Sequence, residues 1–461
     1  MKRTVYASLA ILAAIAAACN KQDIIIDNGG QDVQGSAITL KASAVTKDPA
    51  VKDASATKVA YGAADATWEA GDKIFLVRSD GTTISLTLSG GEGTTSGDFV
   101  STDPVVEGTY IPYAVSATAL DAGFVSISDG AITLNLAYPG GGTLNEAMQH
   151  DVLKGTAVNL SADQNSVEIA GLTTHFLSYL RFRFTSTSKA VESVGMQSAG
   201  GLYQTVTIAA DGTVTGSDLS TDAIWTEASS DGEGTYSGYF AVYDKTTTSL
   251  VAHAADVDGG SYSRLVTVKD ADYDAGTVYG KAWTLTEAMV TAAATGTLSG
   301  QNWKNLGLSV KWAEFNVGSS SEYSYDRNIS NTEGESAVPA AWSGWRHPTR
   351  AEVQELFYAS NRSWITGTNN GVQFSCNGNY VAMGAGGRYR WRDDGNEWDY
   401  NVGSEVCFYI DEITSGGVNG DVRVWAQIQS EGSILGFGSS NLGNNKFYCG
   451  NTAAMRLVCD Y

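Results

Sequence analysis

Residues 344–357 read Gly-Trp-Arg-His-Pro-Thr-Arg-Ala-Glu-Val-Gln-Glu-Leu-Phe, the one convincing amphipathic helix in a chain otherwise rich in strand patterns. Thr349 and Glu352 have the spacing of a capping box, in which a hydroxyl and a carboxylate satisfy the first free amides of a helix. Val353 and Leu356 then fall on one face of that helix. A single helix among strands needs a sheet to pack against, which predicts a compact mixed α+β region.

Period-two alternation of apolar and polar residues recurs upstream of this helix and is typical of half-buried strands. Examples are residues 84–88, 132–136 and 180–184, and residues 206–214 read as a hairpin that turns at Asp211-Gly212. Glycine is abundant (52) and proline is scarce (6), which suits short strands joined by tight turns. The upstream region is therefore predicted to be all-β and sandwich-like.

The distribution of tryptophan marks a domain boundary, because eight of the eleven tryptophans follow residue 300. A stretch dominated by Ala, Thr and Gly precedes this change and reads as a connector. A chain of 461 residues is also too long for one core. The predicted divisions are a signal peptide at 1–19, a tether at 20–36, β-sandwiches at 37–170 and 171–288, a linker at 289–300 and a C-terminal domain at 301–461.

The first residues predict export. Lys2 and Arg3 precede an apolar run, residues 5–18, which is too short to span a bilayer comfortably and ends in small residues before Cys19. Cys19 followed by Asn20 resembles a lipoprotein signal, which implies acylation of Cys19 and anchoring to the outer membrane. An ordinary signal peptide with an incidental cysteine is the alternative.

Charge and motif content exclude several classes of function. The formal net charge of −21 argues against nucleic acid and against anionic membrane surfaces as partners. The four histidines are isolated in sequence and lack metal-site spacing, and neither a phosphate-binding loop nor a nucleophile elbow occurs. We therefore expect a protein that is not an enzyme and that carries no cofactor.

Five short motifs in the last third of the chain occur in a familiar order. They are Gly307–Ala313, Asn316–Gly318, Gly344–Arg346, Pro348–Thr349 and Met455–Val458. Together they resemble the bacterial major paralogous domain, a branch of the C-type lectin-like folds found at the ends of surface proteins. The resemblance implies an α+β domain that contacts an extracellular glycan or protein ligand.

Four cysteines lie in the last quarter of the chain, and an even set in an exported protein predicts disulfides with three possible pairings. The nested bridges of the lectin-like fold imply the pairs Cys376–Cys459 and Cys407–Cys449. Free buried thiols are the alternative.

One loop of the C-terminal domain is the predicted ligand site, because aromatic rings stack on sugar faces while carboxylates and amides bind hydroxyls. Its candidate residues are Trp391, Arg392, Asp393, Asp394, Asn396, Glu397, Trp398 and Asp399. A calcium ion is a further possibility, held by the oxygens of Asp393, Asp394, Asn396, Glu397 and Asp399. The alternative is a solvated turn whose tryptophans pack inward.

A second resemblance covers about 250 residues upstream. The segments Thr67–Ile74, Gly108–Tyr113, His175–Phe184 and Tyr273–Tyr279 are similar, in order, to fimbrillins, the pilus subunits and related lipoproteins of Gram-negative anaerobes. The expected fold is therefore mainly β, with two fimbrillin-like β-sandwich domains followed by an α+β C-type lectin-like domain.

The fimbrillin resemblance also implies a mode of assembly. A protease removes a subunit strand by cutting after a basic residue, and the exposed groove accepts a strand from a neighbouring fimbrial subunit. Candidate cut sites are Lys47, Lys52 and Lys58. The predicted function is a fimbrial tip adhesin at the cell surface. Alternatives are a non-fimbrial outer-membrane lipoprotein that captures glycans for nutrition and, ranked low, an oxidase of the formylglycine-generating type, suggested by Arg346–Glu352.

Overall fold

The computed structural model describes most of the chain from residue 40 onward. The described ranges are 40–45, 52–53, 67–138, 140–162, 164–243, 250–266, 273–321, 329–330, 337–366, 370–385, 388–391, 398–401, 405–416, 420–429, 435–438 and 452–461. Within them the fold is mainly β, as predicted.

Strands dominate three successive regions of the fold: the part before residue 170, a middle region from β13 to β22, and a C-terminal region from residue 295 onward. Those before residue 170 are β1 Leu40–Val45, β2 Lys52–Asp53, β3 Lys73–Val77, β4 Thr83–Gly90, β5 Ser96–Ser101, β6 Gly108–Val115, β7 Val125–Ser128, β8 Ala131–Asn135, β9 Gly140–Gly141, β10 Leu153–Lys154, β11 Val158–Leu160 and β12 Ser166–Ile169. Those of the middle region are β13 Ser178–Ser186, β14 Val191–Ser198, β15 Leu202–Ile208, β16 Val214–Ser220, β17 Ile224–Glu227, β18 Ser229–Ser230, β19 Thr235–Val242, β20 Leu250–Asp256, β21 Ser261–Val266 and β22 Thr277–Leu285.

The C-terminal region, residues 295–461, continues the numbering. Its strands are β23 Thr295–Leu298, β24 Gln301–Lys304, β25 Lys311–Ala313, β26 Ile329–Ser330, β27 Asn361–Ile365, β28 Gly371–Cys376, β29 Asn379–Gly384, β30 Arg388–Trp391, β31 Trp398–Asn401, β32 Glu405–Gly416, β33 Gly420–Gln429, β34 Leu435–Gly438, β35 Thr452–Ala453 and β36 Val458–Cys459. The helices within the described ranges are α1 Ala117–Asp121, α2 Leu144–Met148, α3 Glu287–Thr291 and α4 Arg350–Ala359, with a 3₁₀ turn at Ala340–Trp342.

The first sheet has the strand order β10-β6-β3-β4-β5-β1-β12, with β11 also paired to β6. Its inner face is a core of alternating apolar residues, among them Ile74, Leu86 and Phe99. Strand β1 runs antiparallel to β5 and parallel to β12. The strand nearest the N-terminus among those described therefore lies inside this sheet, next to its edge.

One sheet crosses the predicted boundary at residue 170. It has the order β16-β15-β8-β7, so strands from the two predicted sandwich ranges pair directly. A shared core follows the same pattern and joins Val77 and Leu134 to Tyr179 and Val206. The two ranges therefore fold against each other through continuous packing.

Asp151 fixes this junction between the two sandwich ranges. Its carboxylate lies 3.0 Å from Nδ1 of His175 and accepts the hydroxyl of Tyr179 at 2.9 Å. It also accepts backbone N–H groups from Phe176 and Leu177. Because a buried carboxylate is stable only when its oxygens are paired, these bonds hold the start of β13 against the end of the first range.

Two further sheets complete the middle region, in the orders β18-β19-β13-β22-β2 and β17-β14-β20-β21. They enclose a core that includes Phe182, Phe184 and Phe240. The alternation predicted at 180–184 and the hairpin predicted at 206–214 are both confirmed, the hairpin as β15–β16 with Gly212 at φ 85° in its turn.

Helix α4 is capped as predicted. The side chain of Thr349 accepts the N–H of Glu352, and the carboxylate of Glu352 accepts the N–H of Thr349. The apolar face of α4 packs into a core of the C-terminal region that includes Trp312 and Phe408 and also reaches Val251 of β20. The C-terminal region is therefore mounted on the outer face of the middle region by shared apolar packing.

Two predictions made from the sequence were wrong. Residues 289–300, predicted as a linker, carry the end of α3 and strand β23, because Thr286 caps α3 and a turn at Gly300 returns β23 onto β24. The short helices α1 and α2 were missed in sequence predicted to be all-β. A capping-box spacing at Thr143 and Glu146 was the signal for α2.

Candidate functional site

Strand β1 occupies a slot between β5 and β12, which we call the edge slot. Position 42 lies opposite Phe99 of β5 and Val167 of β12, and position 44 lies opposite Gly97 and Ile169. Phe99 is fully buried, and a side-chain carbon added to Gly97 would come within 3.0 Å of Leu88 and Phe99. The inner face of the slot is therefore tightly packed.

The strand that follows β1 in sequence lies in a different sheet. Strand β2, which contains Lys52, pairs in parallel with β22 at Thr277 and Val278. Lys47 and Lys58, the other candidate cut sites, lie outside the described residues, as does Cys19. The segment from β1 to β2 thus contributes one strand to each of two sheets.

The predicted ligand loop is flanked by strands β30 and β31, which pair antiparallel and which we call the hairpin. Trp391 lies directly opposite Trp398, and Arg390 lies opposite Asp399. Directly paired residues share a face of a hairpin and neighbouring residues alternate, so the two tryptophan positions lie on one face and Asp399 lies on the other. The remaining predicted ligand residues, Arg392, Asp393, Asp394, Asn396 and Glu397, lie outside the described residues.

The cysteines do not form the outer bridge that the lectin-like resemblance implies. Cys376 and Cys459 are both free thiols. Cys376 ends β28, where its Sγ lies 3.9 Å from Ser263 Oγ and 3.7 Å from the carbonyl of Ala359. Cys459 belongs to β36 and pairs with Lys311 of β25, so the two cysteines are held by different elements. Cys449 lies outside the described residues, and the pair Cys407–Cys449 stays a prediction.

The residues that suggested the oxidase alternative take part in ion pairs and in buried packing. Arg346 forms ion pairs with Glu352 at 2.6 Å and Asp460 at 2.8 Å. His347 is buried and meets the ring of Tyr409 edge-on. Burial raises the pKa of Cys459 to about 11, which disfavours the thiolate that a reactive cysteine needs. This region joins the helix entry to the last strand of the fold.

A buried polar cluster joins α4 to the middle region. Oε2 of Glu355 accepts the N–H of Ser309 at 2.7 Å and also its hydroxyl at 2.5 Å. Arg264 of β21 acts on this carboxylate electrostatically and donates to the carbonyl oxygens of Ser263 at 2.7 Å and Gly307 at 3.1 Å. Glu355 and Arg264 are both buried, so this junction combines paired polar groups with the apolar packing of α4.

This cluster gives the stability of the fold a pH dependence. Burial raises the pKa of Glu355 above its ordinary value of 4.5, against the opposing effects of Arg264 and Ser309. Between those two pKa values the folded state keeps a proton that the unfolded state has released, so stability falls as pH rises through that window. We expect Glu355→Gln to gain free energy of unfolding relative to the natural chain as pH rises above 4.5.

Urea unfolding at a series of pH values would measure this difference. The exposed Glu227→Gln serves as a matched control and should follow the natural chain at every pH. The prediction would be contradicted if the natural chain gained stability relative to Glu355→Gln as pH rises. Such a result would mean that Arg264 lowers the pKa of Glu355 by more than burial raises it.

The described ranges contain no cluster of three His, Cys, Asp or Glu side chains able to hold a metal ion, and four of the five calcium candidates fall outside those ranges. Over the same ranges, none of the helices has the length and apolar character needed to cross a membrane. Trp425 of β33 is buried in a small cluster with Tyr409 of β32 and Ala453 of β35.

Comparisons with known proteins gave structural matches alone. No protein-family model and no curated protein matches the chain. A presumed cell adhesion protein from Bacteroides uniformis matches 54% of this chain and 93% of its own length, with 16% identity and a TM-score of 0.37. The fimbrial anchor protein Mfa2 from Porphyromonas gingivalis matches 47% of this chain and 77% of its own, with 12% identity and a TM-score of 0.27.

The tip fimbrial protein Mfa3 from Porphyromonas gingivalis, truncated at its C-terminus, matches 50% of this chain and 82% of its own length. The identity is 12% and the TM-score is 0.26. At such low TM-scores and identities, what these proteins do says nothing by itself about this chain.

Proposed function

We propose that this protein is a cell-surface adhesin that joins partner fimbrial subunits by exchanging strand β1. One observation carries this proposal. Strand β1 lies inside the first sheet, between β5 and β12. The candidate cut sites Lys47, Lys52 and Lys58 all follow it in sequence. A cut at any of them would separate β1 from the rest of the fold.

Loss of β1 would leave an open groove between β5 and β12 that accepts a new strand in one direction. Of the described strands, only β1 forms a ladder with β12, whereas β5 keeps its pairing with β4. The open slot would present backbone donors and acceptors on both sides, and an incoming strand would satisfy them by β-augmentation. That strand must run antiparallel to β5 and parallel to β12, and it must place small residues opposite Phe99 and Gly97.

The C-terminal region supplies the adhesive part of the proposal, as a lectin-like domain. In its hairpin the positions of Trp391 and Trp398 lie on one face. Tryptophan is a residue type that stacks on sugars and on apolar protein surfaces. Strands β35 and β36 are held by pairing with β26 and β25, so these last strands are not free to leave for a neighbouring subunit. We therefore place the protein at a tip or capping position.

The precursor in this proposal is an outer-membrane lipoprotein acylated at Cys19. Sequencing the N-terminus of the protein in isolated surface fibres tests the assembly directly. An N-terminus just after Lys47, Lys52 or Lys58, with other fimbrial subunits copurifying, would support strand exchange. An N-terminus at acylated Cys19 without such partners would contradict it and would favour the glycan-capturing lipoprotein.

A further inference from the structure

Trp225 of β17 lies on the outer face of the sheet β17-β14-β20-β21. The inner face of this sheet packs on the core of the middle region through Val194, Met196 and Ala254. Trp225 faces away from that core and is 41% exposed, which is unusual for so large a ring in a well-packed sheet. The C-terminal region covers β20 and β21 on this same face.

The indole is held flat against the sheet. Gly195 lies directly opposite Trp225 in the ladder, and a side-chain carbon at Gly195 would come within 2.8–3.0 Å of three ring atoms. The ring thus covers the backbone of Gly195 with one face and presents its other face outward. His253 supports it from the side, with ring centroids 5.6 Å apart and planes inclined by 31°.

The support behind the ring is rigid. Nδ1 of His253 lies 2.8 Å from the hydroxyl of Ser263, and its Nε2 lies 3.2 Å from Oε1 of Gln197. Gln197 is itself fixed by donating to the carbonyl of Thr221 at 2.9 Å. A ring fixed in this way loses little conformational entropy when a ligand binds.

The groups that the described residues place around the ring are polar. Burial lowers the pKa of His253 to about 4, so this imidazole is neutral at physiological pH. The exposed carboxylate of Glu227 and the hydroxyl of Ser193 are opposite each other on the same face as Trp225, two positions along their strands or about 7 Å away. With a net charge of −21 on the chain, this setting favours a neutral ligand over an anionic one.

We propose that Trp225 is a stacking subsite for a neutral pyranose unit of an extracellular glycan, with Glu227 and Ser193 binding its hydroxyl groups. The apolar C–H face of the sugar covers the exposed indole face, and the carboxylate accepts hydroxyl hydrogens. This subsite is separate from the hairpin of Trp391 and Trp398 and does not depend on strand exchange.

Saturation-transfer NMR on the full chain tests the proposal, with cellohexaose and mannohexaose as neutral probes and sialyllactose as an anionic one. We expect at least one neutral hexaose to bind, and Trp225→Ala to weaken that binding by roughly tenfold or more. Gly195→Ala should weaken it similarly, because the added carbon displaces the ring without removing it. Tyr138→Ala, which removes a 78% exposed ring elsewhere, should bind as the natural chain does.

Two results would overturn the proposal. One is that neither neutral hexaose binds, whether or not sialyllactose does, and the other is unchanged binding by Trp225→Ala. Circular dichroism and melting temperatures verify that each variant is folded. Glu227→Ala changes an exposed side chain, so it should weaken binding several-fold without altering the fold. Binding that is lost in a Trp391→Ala, Trp398→Ala double variant but kept in Trp225→Ala would place the sugar site on the hairpin instead.

Discussion

Replacing Arg456 with Met is expected to lower the free energy of unfolding by about 3–5 kcal/mol. The guanidinium of Arg456 is fully buried. It donates to the carbonyl oxygens of Ala313 at 2.8 Å, Glu314 at 2.6 Å and Ala382 at 2.5 Å, and to Oδ1 of Asn316 at 2.8 Å. Methionine fills similar space but donates nothing, so buried acceptors that connect separate segments lose their partner.

Guanidinium chloride unfolding followed by tryptophan fluorescence would measure this loss, since eight of the eleven tryptophans follow residue 300. Arg350→Met is the matched control. The Arg350–Glu412 ion pair is 43% and 37% exposed, so removing it should cost less than about 1 kcal/mol. Similar losses for the two variants would show that Arg456 does not organise the C-terminal region.

The sequence predicted α4 well because its signals are local. The capping pair Thr349 and Glu352 and the apolar face at Val353 and Leu356 lie within eight residues, and short-range hydrogen bonds and helical periodicity determine them. The core positions of Leu180, Phe182 and Phe184 in β13 followed in the same way from period-two alternation.

Long-range pairings were not predictable from such signals. Nothing in the residues near Asp151 indicates that its carboxylate meets His175 and Tyr179, because that contact depends on how two sheets pack. The shared sheet of β8 and β15 is equally non-local. Cys376 and Cys459 show the opposite error, since the lectin-like resemblance implied a bridge between two thiols that separate elements hold.

For the candidate sites, the sequence indicated which residue types are present, and only the fold shows which of these residues share a face. Trp391 and Trp398 were selected as aromatic neighbours of acidic residues, and only the ladder shows that they share a face while Asp399 does not. Trp225 was not selected, because its exposure depends on Gly195 in another strand. A tryptophan paired across a ladder with glycine can be recognised only once the register is known.

The edge slot makes the strand-exchange proposal testable in the full chain through one pair of substitutions. Position 42 of β1 lies opposite the fully buried Phe99, so a charged side chain introduced there would have to enter the core of the sheet. Position 43 lies opposite Asp98 and Glu168, which are exposed and acidic. A lysine is therefore excluded at position 42 and tolerated at position 43.

We expect Ala42→Lys to release β1 and Ser43→Lys to leave it in place. A fluorescent peptide covering residues 38–47 should then bind the Ala42→Lys chain at least roughly tenfold more strongly than the natural chain, because the vacated slot accepts it by β-augmentation. The Ser43→Lys chain should take up no more peptide than the natural chain, and fluorescence anisotropy would measure all three. Equal uptake by the two lysine variants would show that register with the buried face of β5 does not control entry, and exchange of β1 would then no longer explain assembly.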